Sequence, residues 1–505
     1  MSAVADFIVI GAGSAGCAVA ASLLEHQAGT VTLVEAGPSD NSPLVKMPFG
    51  LVWLMGSAKR DWRFQSTPQA ELNNRSIAIP RGRMLGGSSS INSMVWFRGC
   101  RDDFDGWGLD GWAWHDVEAA FRAIETKVNP TQMQGAHPLT QALHGLFPTN
   151  STAAPSPEYE SAGVFSYNMH KGRRRSAADA FLRPAPDGLS IVTGQTVDRV
   201  EFVNDAARRV ILSDGTALTA IKGVILSAGS IGSPAILMRS GIGPRADLTT
   251  LGIDTLHDAP EIGQNLHDHP AVGLHFVGNN TGYGITLNQL PAWAMAPFQY
   301  LTNRTGRLAS PTVEGGGFFN ARAETKAPDV QMHFIPFKLG WQGKRFTRGS
   351  GYFADVCLCR PKSRGHLRLS HKDANAAPHI DLGLLKDPSD LDTMLHGLKR
   401  LRTLMDTANF GPLKGTEAFP GPTVTTDADL KTHIRARAAT AYHPVGTLRM
   451  GTGTAPVTPR LNVKGLRNLW VADASVMPNI TSANTNAPSM MIGYRAGQMI
   501  TKDIA

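Results

Sequence analysis

The first hydrophobic pattern in the chain is a continuous apolar run, Phe7-Ile8-Val9-Ile10, which enters Gly11-Ala12-Gly13-Ser14-Ala15-Gly16. Apolar residues in succession, without alternation, fit a strand buried on both faces, as in a parallel sheet. Ala15 to Leu24 is Ala-rich and free of Pro, which predicts a helix, and Thr30 to Glu35 predicts a second strand. Strand-like stretches recur at Ile191-Val192, Val197 to Phe202, Gly223 to Gly229, Val330 to Ile335, Tyr352 to Cys359, His366 to Leu369 and Leu469 to Asp473. Helical periodicity marks Asp116 to Thr126, Pro388 to Leu404 and a closing segment from Ser489 to Lys502. Residues 128–158 carry many Pro, Thr, Gln and Ser with little periodicity and read as a mobile connection or lid. There is no internal repeat.

Composition narrows the class without naming a function. The chain has 505 residues, 42% of them apolar and 18% charged, which is enough apolar material for a large core and excludes a disordered or fibrous protein. Gly 52 and Pro 32 are spread without period, so turns and close backbone approaches matter. The net charge of +8 could signal nucleic acid, but the one dense basic run, Lys171, Arg173, Arg174 and Arg175, has no interleaved aromatics and reads as a solvated face. Cys17, Cys100, Cys357 and Cys359 are too few and too badly spaced for a disulfide framework or zinc site, so they read as core thiols in a reducing compartment. No signal or transit peptide is evident at the N-terminus. The most apolar stretch, Leu290 to Leu301, is interrupted by Pro291, Pro297 and Gln299 and is too short to span a bilayer. The expectation is a soluble, cytoplasmic protein without a transmembrane segment.

The strongest chemical signal is the first strand, helix and second strand taken together. Gly11, Gly13 and Gly16 at G-x-G-x-x-G spacing permit a tight turn, approach of backbone to a pyrophosphate, and close helix packing. The helix N-terminus, at Ser14 and Ala15, supplies N–H groups to phosphate. Glu35, followed by Ala36, sits where a carboxylate binds ribose hydroxyls. Dinucleotide binding follows, although the glycines do not separate NAD from FAD.

The rest of the chain decides between them. Arg81 to Asn92 reads Arg-Gly-Arg-Met-Leu-Gly-Gly-Ser-Ser-Ser-Ile-Asn, and Ser227 to Pro234 reads Ser-Ala-Gly-Ser-Ile-Gly-Ser-Pro. Ile262 to His269, Arg360 to Gly365, His443 to Thr447, Val471 to Pro478 and Asn484 to Pro488 continue the series. In this order the motifs resemble those of the glucose-methanol-choline (GMC) family of FAD-dependent oxidoreductases, over nearly the whole chain. The resemblance implies an α/β fold with a discontinuous Rossmann-type FAD-binding domain, from residues 1–150, 185–270 and 440–505. A substrate-binding domain, a β-sheet with flanking helices, is expected from 151–184 and 271–439. It places FAD against Gly11, Gly13, Ser14, Ala15, Gly16, Glu35 and Ala36, with Val197 at the adenine. Gly87, Ser88, Asn92 and Val95 would pass the isoalloxazine, and Ala228, Asp473 and Ala474 would close the phosphate and ribityl side. Some relatives attach FAD through a His in the Gly-Gly-Ser-Ser loop; here that position is Ile91, which implies a non-covalent flavin.

By the same resemblance the catalytic pair is His443 and Asn486. An imidazole can take a hydroxyl proton at neutral pH, and an Asn can orient the oxygen without titrating. Asn484 is the alternative partner. The implied reaction oxidises a primary alcohol, aliphatic, aromatic or sugar-like, to the aldehyde, with hydride passing to the flavin and oxygen, a quinone or another acceptor reoxidising it. A lyase of the same fold that cleaves cyanohydrins, or a non-catalytic or light-responsive flavoprotein, are the alternatives. The Ser310 to Gly317 stretch resembles relatives that act on aliphatic or aromatic alcohols and on sorbose-like sugars, whereas Gly135 to Pro148 departs from the family pattern. That region is short, which would suit a bulkier or more open substrate. His267, Asp268 and His269 could be a metal trio but fit a packed structural loop better, and no metal is expected. Trp107, Trp112 and Trp114 are expected to fill core or contact neighbouring loops. Tyr442 either touches substrate or packs.

Overall fold

A computed structural model describes residues 4–147, 153–279, 281–322, 327–338 and 348–504. The opening apolar run becomes β1 (Val4–Ile10), followed by helix α1 (Ser14–Glu25) and β2 (Val31–Glu35). β1 lies parallel to β2 on one side and to the strand Ala217–Leu226 on the other. Leu189–Thr193 extends the parallel set beyond β2, and Leu469–Val471 pairs in parallel with the end of Ala217–Leu226. Two antiparallel strands, Ala206–Leu212 and Val197–Val203, complete the sheet. α1 packs against β1 and β2, and Phe7, Ile8 and Val9 are all fully buried, which is why this strand shows no alternation. Each such side chain contributes about 1.5–3 kcal/mol by leaving water.

The closing helix, Asn486–Ile504, lies against α1. The contact requires glycine: a Cβ on Gly493 would sit 2.3 Å from Ala15 O, and one on Gly497 would sit 2.5 Å from Ser22 Cβ. Ser22 Oγ then donates to Tyr494 O at 2.7 Å.

The second sheet is antiparallel throughout, in the order Thr416–Phe419, Pro270–Gly278, Gly349–Leu358, Val330–Ile335, Gly315–Phe319 and Ser161–Val164. The long amphipathic helix Pro388–Thr407 packs on it, with Gly397 facing Val356 and Val330. The molecule is thus an α/β protein with a mostly parallel, Rossmann-like sheet and an antiparallel sheet beside it. The residues at or just past the carboxyl ends of the parallel strands, Gly11, Ala36, Ser227 and Asp473, border the space between the two sheets, where ligands of open α/β sheets bind.

Two expectations change, and one stretch gains an element. The 128–158 region holds local structure: a helix from Trp114 ends at Val128, Thr131–Gln132 pairs with Ser166–Tyr167, and a short helix spans Pro138–Ala142, while 148–152 lie outside the described residues. The apolar stretch with two internal prolines is a helix, Leu290–Asn303. Pro291 falls in its first turn, where no N–H is needed, and Pro297 lies inside a mostly exposed helix. Arg174, in the basic run, is buried.

Candidate functional site

A cavity of about 720 Å³ runs between the sheets, within the ~300–1,000 Å³ usual for small-molecule sites. Gly11, Gly13, Ser14, Ala15, Glu35, Ala36, Gly87, Ser88, Asn92, Val95, Val197, Ala228, Asp473 and Ala474 all border it, as do His443, Asn484 and Asn486. Gly16 does not. Its place is behind the turn, where an added Cβ would lie 1.8 Å from Gly11 O. Gly11 itself takes φ +96°, and a Cβ there would meet Ser227 O at 2.5 Å. Gly13 differs, because a Cβ on it would meet nothing within 4 Å. As the N-cap of α1 it brings no capping side chain, so the first-turn N–H groups of the helix are left for an anion.

Glu35 is buried at the end of β2, where Oε2 accepts from Ala12 N at 3.1 Å and Oε1 from Gly37 N at 2.8 Å. Burial pushes its carboxyl up to about 7 against these donors. Gly86 N donates to Ala12 O at 2.7 Å, and Gly87, at φ +53°, approaches Gly13 so closely that a Cβ would lie 2.6 Å from Gly13 Cα. The Gly86–Asn92 loop is therefore laid directly on the glycine turn. Arg174 holds its far side, donating to Ser89 O at 3.1 Å, Asn92 Oδ1 at 2.8 Å and Val45 O at 3.0 Å. Burial lowers this guanidinium to about 9. Nothing in a run of basic residues distinguishes Arg174 locally from its exposed neighbours. Asp473, at the end of Leu469–Val471, accepts from Gly229 N at 2.8 Å, Ser233 Oγ at 2.6 Å and Ser475 N at 2.8 Å, tying that strand to the helix Gly229–Arg239.

These features fit a dinucleotide cofactor. There is open space where a pyrophosphate would approach Gly13, a set of uncapped N–H groups, and a buried donor without a protein partner, Asn486 Nδ2. Ile91 is buried with Val45, Leu54 and Met84, and an alkyl side chain offers no atom for a covalent bond to a flavin.

The same cavity is bordered by His443, preceded by Tyr442 at φ +70°, a left-handed conformation costly for a bulky residue. The Tyr442 carbonyl accepts from Arg81, and His443 N donates to Asp268 Oδ1 at 2.9 Å. Burial lifts the Asp268 carboxyl to about 6. The His443 ring lies with Nδ1 3.0 Å from His269 Nδ1 and Nε2 3.1 Å from Asn484 Nδ2. The tautomers follow from the partners. His269 Nε2 faces Thr481 O at 3.0 Å, an acceptor, so that nitrogen carries the proton. His269 Nδ1 is then a lone pair that accepts from His443 Nδ1–H. His443 Nε2 is left as a lone pair that accepts from Asn484 Nδ2 at 3.1 Å, on a ring that borders the cavity. Desolvation first, then the neighbouring His269, His333 and Arg81, hold His443 well below the usual imidazole range, so the base form persists at neutral pH.

The expected partner, Asn486, is not at this ring. It opens the last helix and its Oδ1 accepts from Ser14 Oγ at 2.8 Å, which puts it at the glycine turn. Asn484 takes the place beside His443, with Oδ1 accepting from Gln331 Nε2 at 3.0 Å. Asp103 pins the same loop, accepting from Ser482 N at 2.7 Å and from Ser482 Oγ. Neither Gln331 nor Asp103 carries a sequence signal, because each acts across more than a hundred residues. His267 is committed to structure, with Nδ1 2.6 Å from Asn265 O and Nε2 accepting from Ile480 N at 3.0 Å. Trp107 and Trp112 are buried and donate to Asn479 O and Pro459 O, so they fill core and hold loops together. In the Ser310 to Gly317 stretch only Val313 borders the cavity. Glu314 is buried and accepts from His137 N at 2.7 Å and Ser310 Oγ at 2.7 Å, so the stretch pins the Pro138–Ala142 segment. The second sheet contributes a mixed wall, with His333 paired to Asp355 and His275 beside Ile335, Phe353 and Phe419.

Comparison with known proteins agrees with this geometry. The N-terminal and C-terminal profiles of the GMC oxidoreductase family match residues 5–271 and 361–493. The chain is 37% identical to an alcohol dehydrogenase [acceptor] of Pseudomonas putida, over 99% of this chain and 96% of that protein. It is 35% identical to an oxygen-dependent choline dehydrogenase of Sinorhizobium medicae (strain WSM419), over 98% and 95%. Among solved structures, pyridoxine 4-oxidase from Mesorbium loti superposes with a TM-score of 0.84 at 27% identity, covering 98% of both chains. With a glycine turn, a flavin-type loop laid on it and a His–Asn pair all bordering one cavity, and relatives alike over nearly its full length, this chain belongs to the GMC oxidoreductase family of FAD enzymes that oxidise CH–OH donors.

Proposed function

We propose that this chain oxidises a primary alcohol bearing an aliphatic or aromatic substituent to the aldehyde, with a non-covalent FAD. The observation that carries the reading is His443 Nε2, a lone pair on the cavity 3.1 Å from the Asn484 amide. FAD, held by the glycine turn, Glu35, the Gly86–Asn92 loop and Asp473, supplies the two-electron acceptor. His443 takes the hydroxyl proton at Nε2, and Asn484 directs an N–H at the oxygen as negative charge builds there. His269 receives the Nδ1–H of the imidazolium, and Gln331 fixes which end of the Asn484 amide faces the ring. Val313, Ile335, Phe353 and Phe419 offer a contact surface to an apolar substituent, while His275, His333 and Asp355 line the same cavity. Ile91 supports non-covalent attachment.

Anaerobic addition of a graded panel of primary alcohols tests this. Bleaching of the flavin by aliphatic and aromatic alcohols, and its loss by about 10²–10⁴-fold in rate in His443→Ala, is expected. Cyanohydrin cleavage without bleaching would establish the lyase instead. Readmitting air, or a quinone, to the bleached enzyme identifies the acceptor. Denaturation should release FAD from the protein.

A further inference from the structure

The helix Leu290–Asn303 has no role in the cavity, and its surroundings are unusual. Among its residues only Ala296 and Tyr300 are buried, with Trp293 half-buried on the same stripe. That stripe is firmly seated: Trp293 packs on Phe49 and Phe337, and the Arg307 guanidinium lies 4.7 Å over the Trp293 ring. The remaining faces are apolar and open to solvent. Phe298 is 62% exposed and Leu301 69%, Leu290 and Met295 are each 49%, and Leu287, just before the helix, is 84%. The helix contains no charged residue, and residues 269–313 contain no Asp or Glu. A helix apolar on nearly all sides is ordinarily buried or in contact with lipid.

The flank of this ridge is basic. Arg304 follows the helix, and the hairpin carrying Lys171 and Arg173, both exposed, abuts it so closely that a Cβ on Gly172 would lie 2.1 Å from Arg304 O. On the other side, exposed Arg348 neighbours half-open Ile285. We propose that this helix is a docking surface for an anionic lipid bilayer, its outer residues entering the acyl boundary while Lys171, Arg173 and Arg304 meet headgroup phosphates. An apolar face beside a cationic flank is the composition of interfacial helices. A second copy seated here through a two-fold axis would oppose these cations with their own equivalents. A protruding ridge also offers a protein partner no groove. Among the described residues no helix is long and apolar enough to cross a membrane, so the attachment is to one leaflet.

Co-sedimentation of the FAD-loaded protein with vesicles tests it. Binding is expected to vesicles of equal parts phosphatidylcholine and phosphatidylglycerol, weaker to phosphatidylcholine alone, and reduced by salt. The Phe298→Glu/Leu301→Glu variant should lose binding to both while oxidising a water-soluble alcohol at the wild-type rate, which also shows that it folds. Lys171→Glu/Arg173→Glu should weaken binding to the mixed vesicles about 25-fold or more, at about fivefold per cation, and leave the residual binding to phosphatidylcholine unchanged. No pelleting with mixed vesicles, or full pelleting by Phe298→Glu/Leu301→Glu, overturns the proposal. Sedimentation velocity showing a dimer dissolved by the same variant, without vesicle binding, assigns the face to a second copy instead. None of these readings depends on which alcohol is the substrate.

Discussion

His443 Nε2 has an amide donor at 3.1 Å because Gln331 accommodates the other end of Asn484, and Asn486, two residues on, bonds Ser14 instead. The two asparagines therefore have separable functions. Asn484→Ala removes a donor to the substrate oxygen and should lower the rate of anaerobic flavin reduction by about 10²-fold, with little change in bound FAD. Asn486→Ala removes a bond to the first turn of α1, so it should weaken FAD retention or lower stability by about 1 kcal/mol while leaving reduction of the loaded enzyme nearly unchanged. Stopped-flow reduction of fully loaded variants makes the comparison. If Asn486→Ala slowed reduction as much as Asn484→Ala, the assignment of the partner by geometry would be wrong.

At the scale of elements, the turn between β1 and α1 separates two reasons for a glycine. A Cβ on Gly16 meets Gly11 O at 1.8 Å, whereas one on Gly13 enters open space. Gly16→Ala should thus destabilise even the cofactor-free protein, by about 1–3 kcal/mol or more, because backbone must move. Gly13→Ala should leave cofactor-free stability within about 0.5 kcal/mol and act on FAD affinity alone. Thermal midpoints of the apoprotein set against FAD titrations distinguish them, and an equal loss of apoprotein stability in both would refute the distinction. This unit was legible in the sequence because the strand, turn and helix signals are local and agree. Val330–Ile335 was legible to the residue, since its apolar pattern is bounded on both sides. The choice between Asn484 and Asn486 was not, because it is made by Gln331 and Ser14, which reach the loop from distant parts of the chain. Arg174 was hidden for the same reason, as its partners at residues 45, 89 and 92 lie far away in sequence. The helix Leu290–Asn303 was obscured by its prolines, whose compatibility depends on their place in the helix.

Across the whole molecule, burial sets the response to acid. His137, His275 and His433 are lowered to about 4 and His267 and His269 to about 3, all chiefly by desolvation, and His443 is lowered as well. Their ordinary value is about 6.5, so between that pH and about 4 the unfolded chain binds protons at these six imidazoles that the folded protein leaves neutral. Six buried carboxyls act in the opposite sense, because Glu35 is raised to about 7, Asp268 and Glu314 to about 6, and Asp103, Asp329 and Asp473 are raised as well, so the folded protein protonates them first. Near pH 5 the imidazoles draw protons to the unfolded chain and the carboxyls draw them to the folded one, each uncompensated proton being worth about 1.4 kcal/mol per pH unit. Folding stability is therefore expected to fall as the pH drops toward about 4, where the unfolded carboxyls take up protons too and the imidazoles continue to favour the unfolded chain. His433 borders no part of the cavity, so His433→Gln should flatten this acid limb by roughly one proton's slope without touching the flavin. Urea midpoints of the FAD-loaded protein, measured in steps from neutral to mildly acidic pH, give the slope directly. A midpoint that rose on acidification would mean that the carboxyls, not the imidazoles, govern the balance.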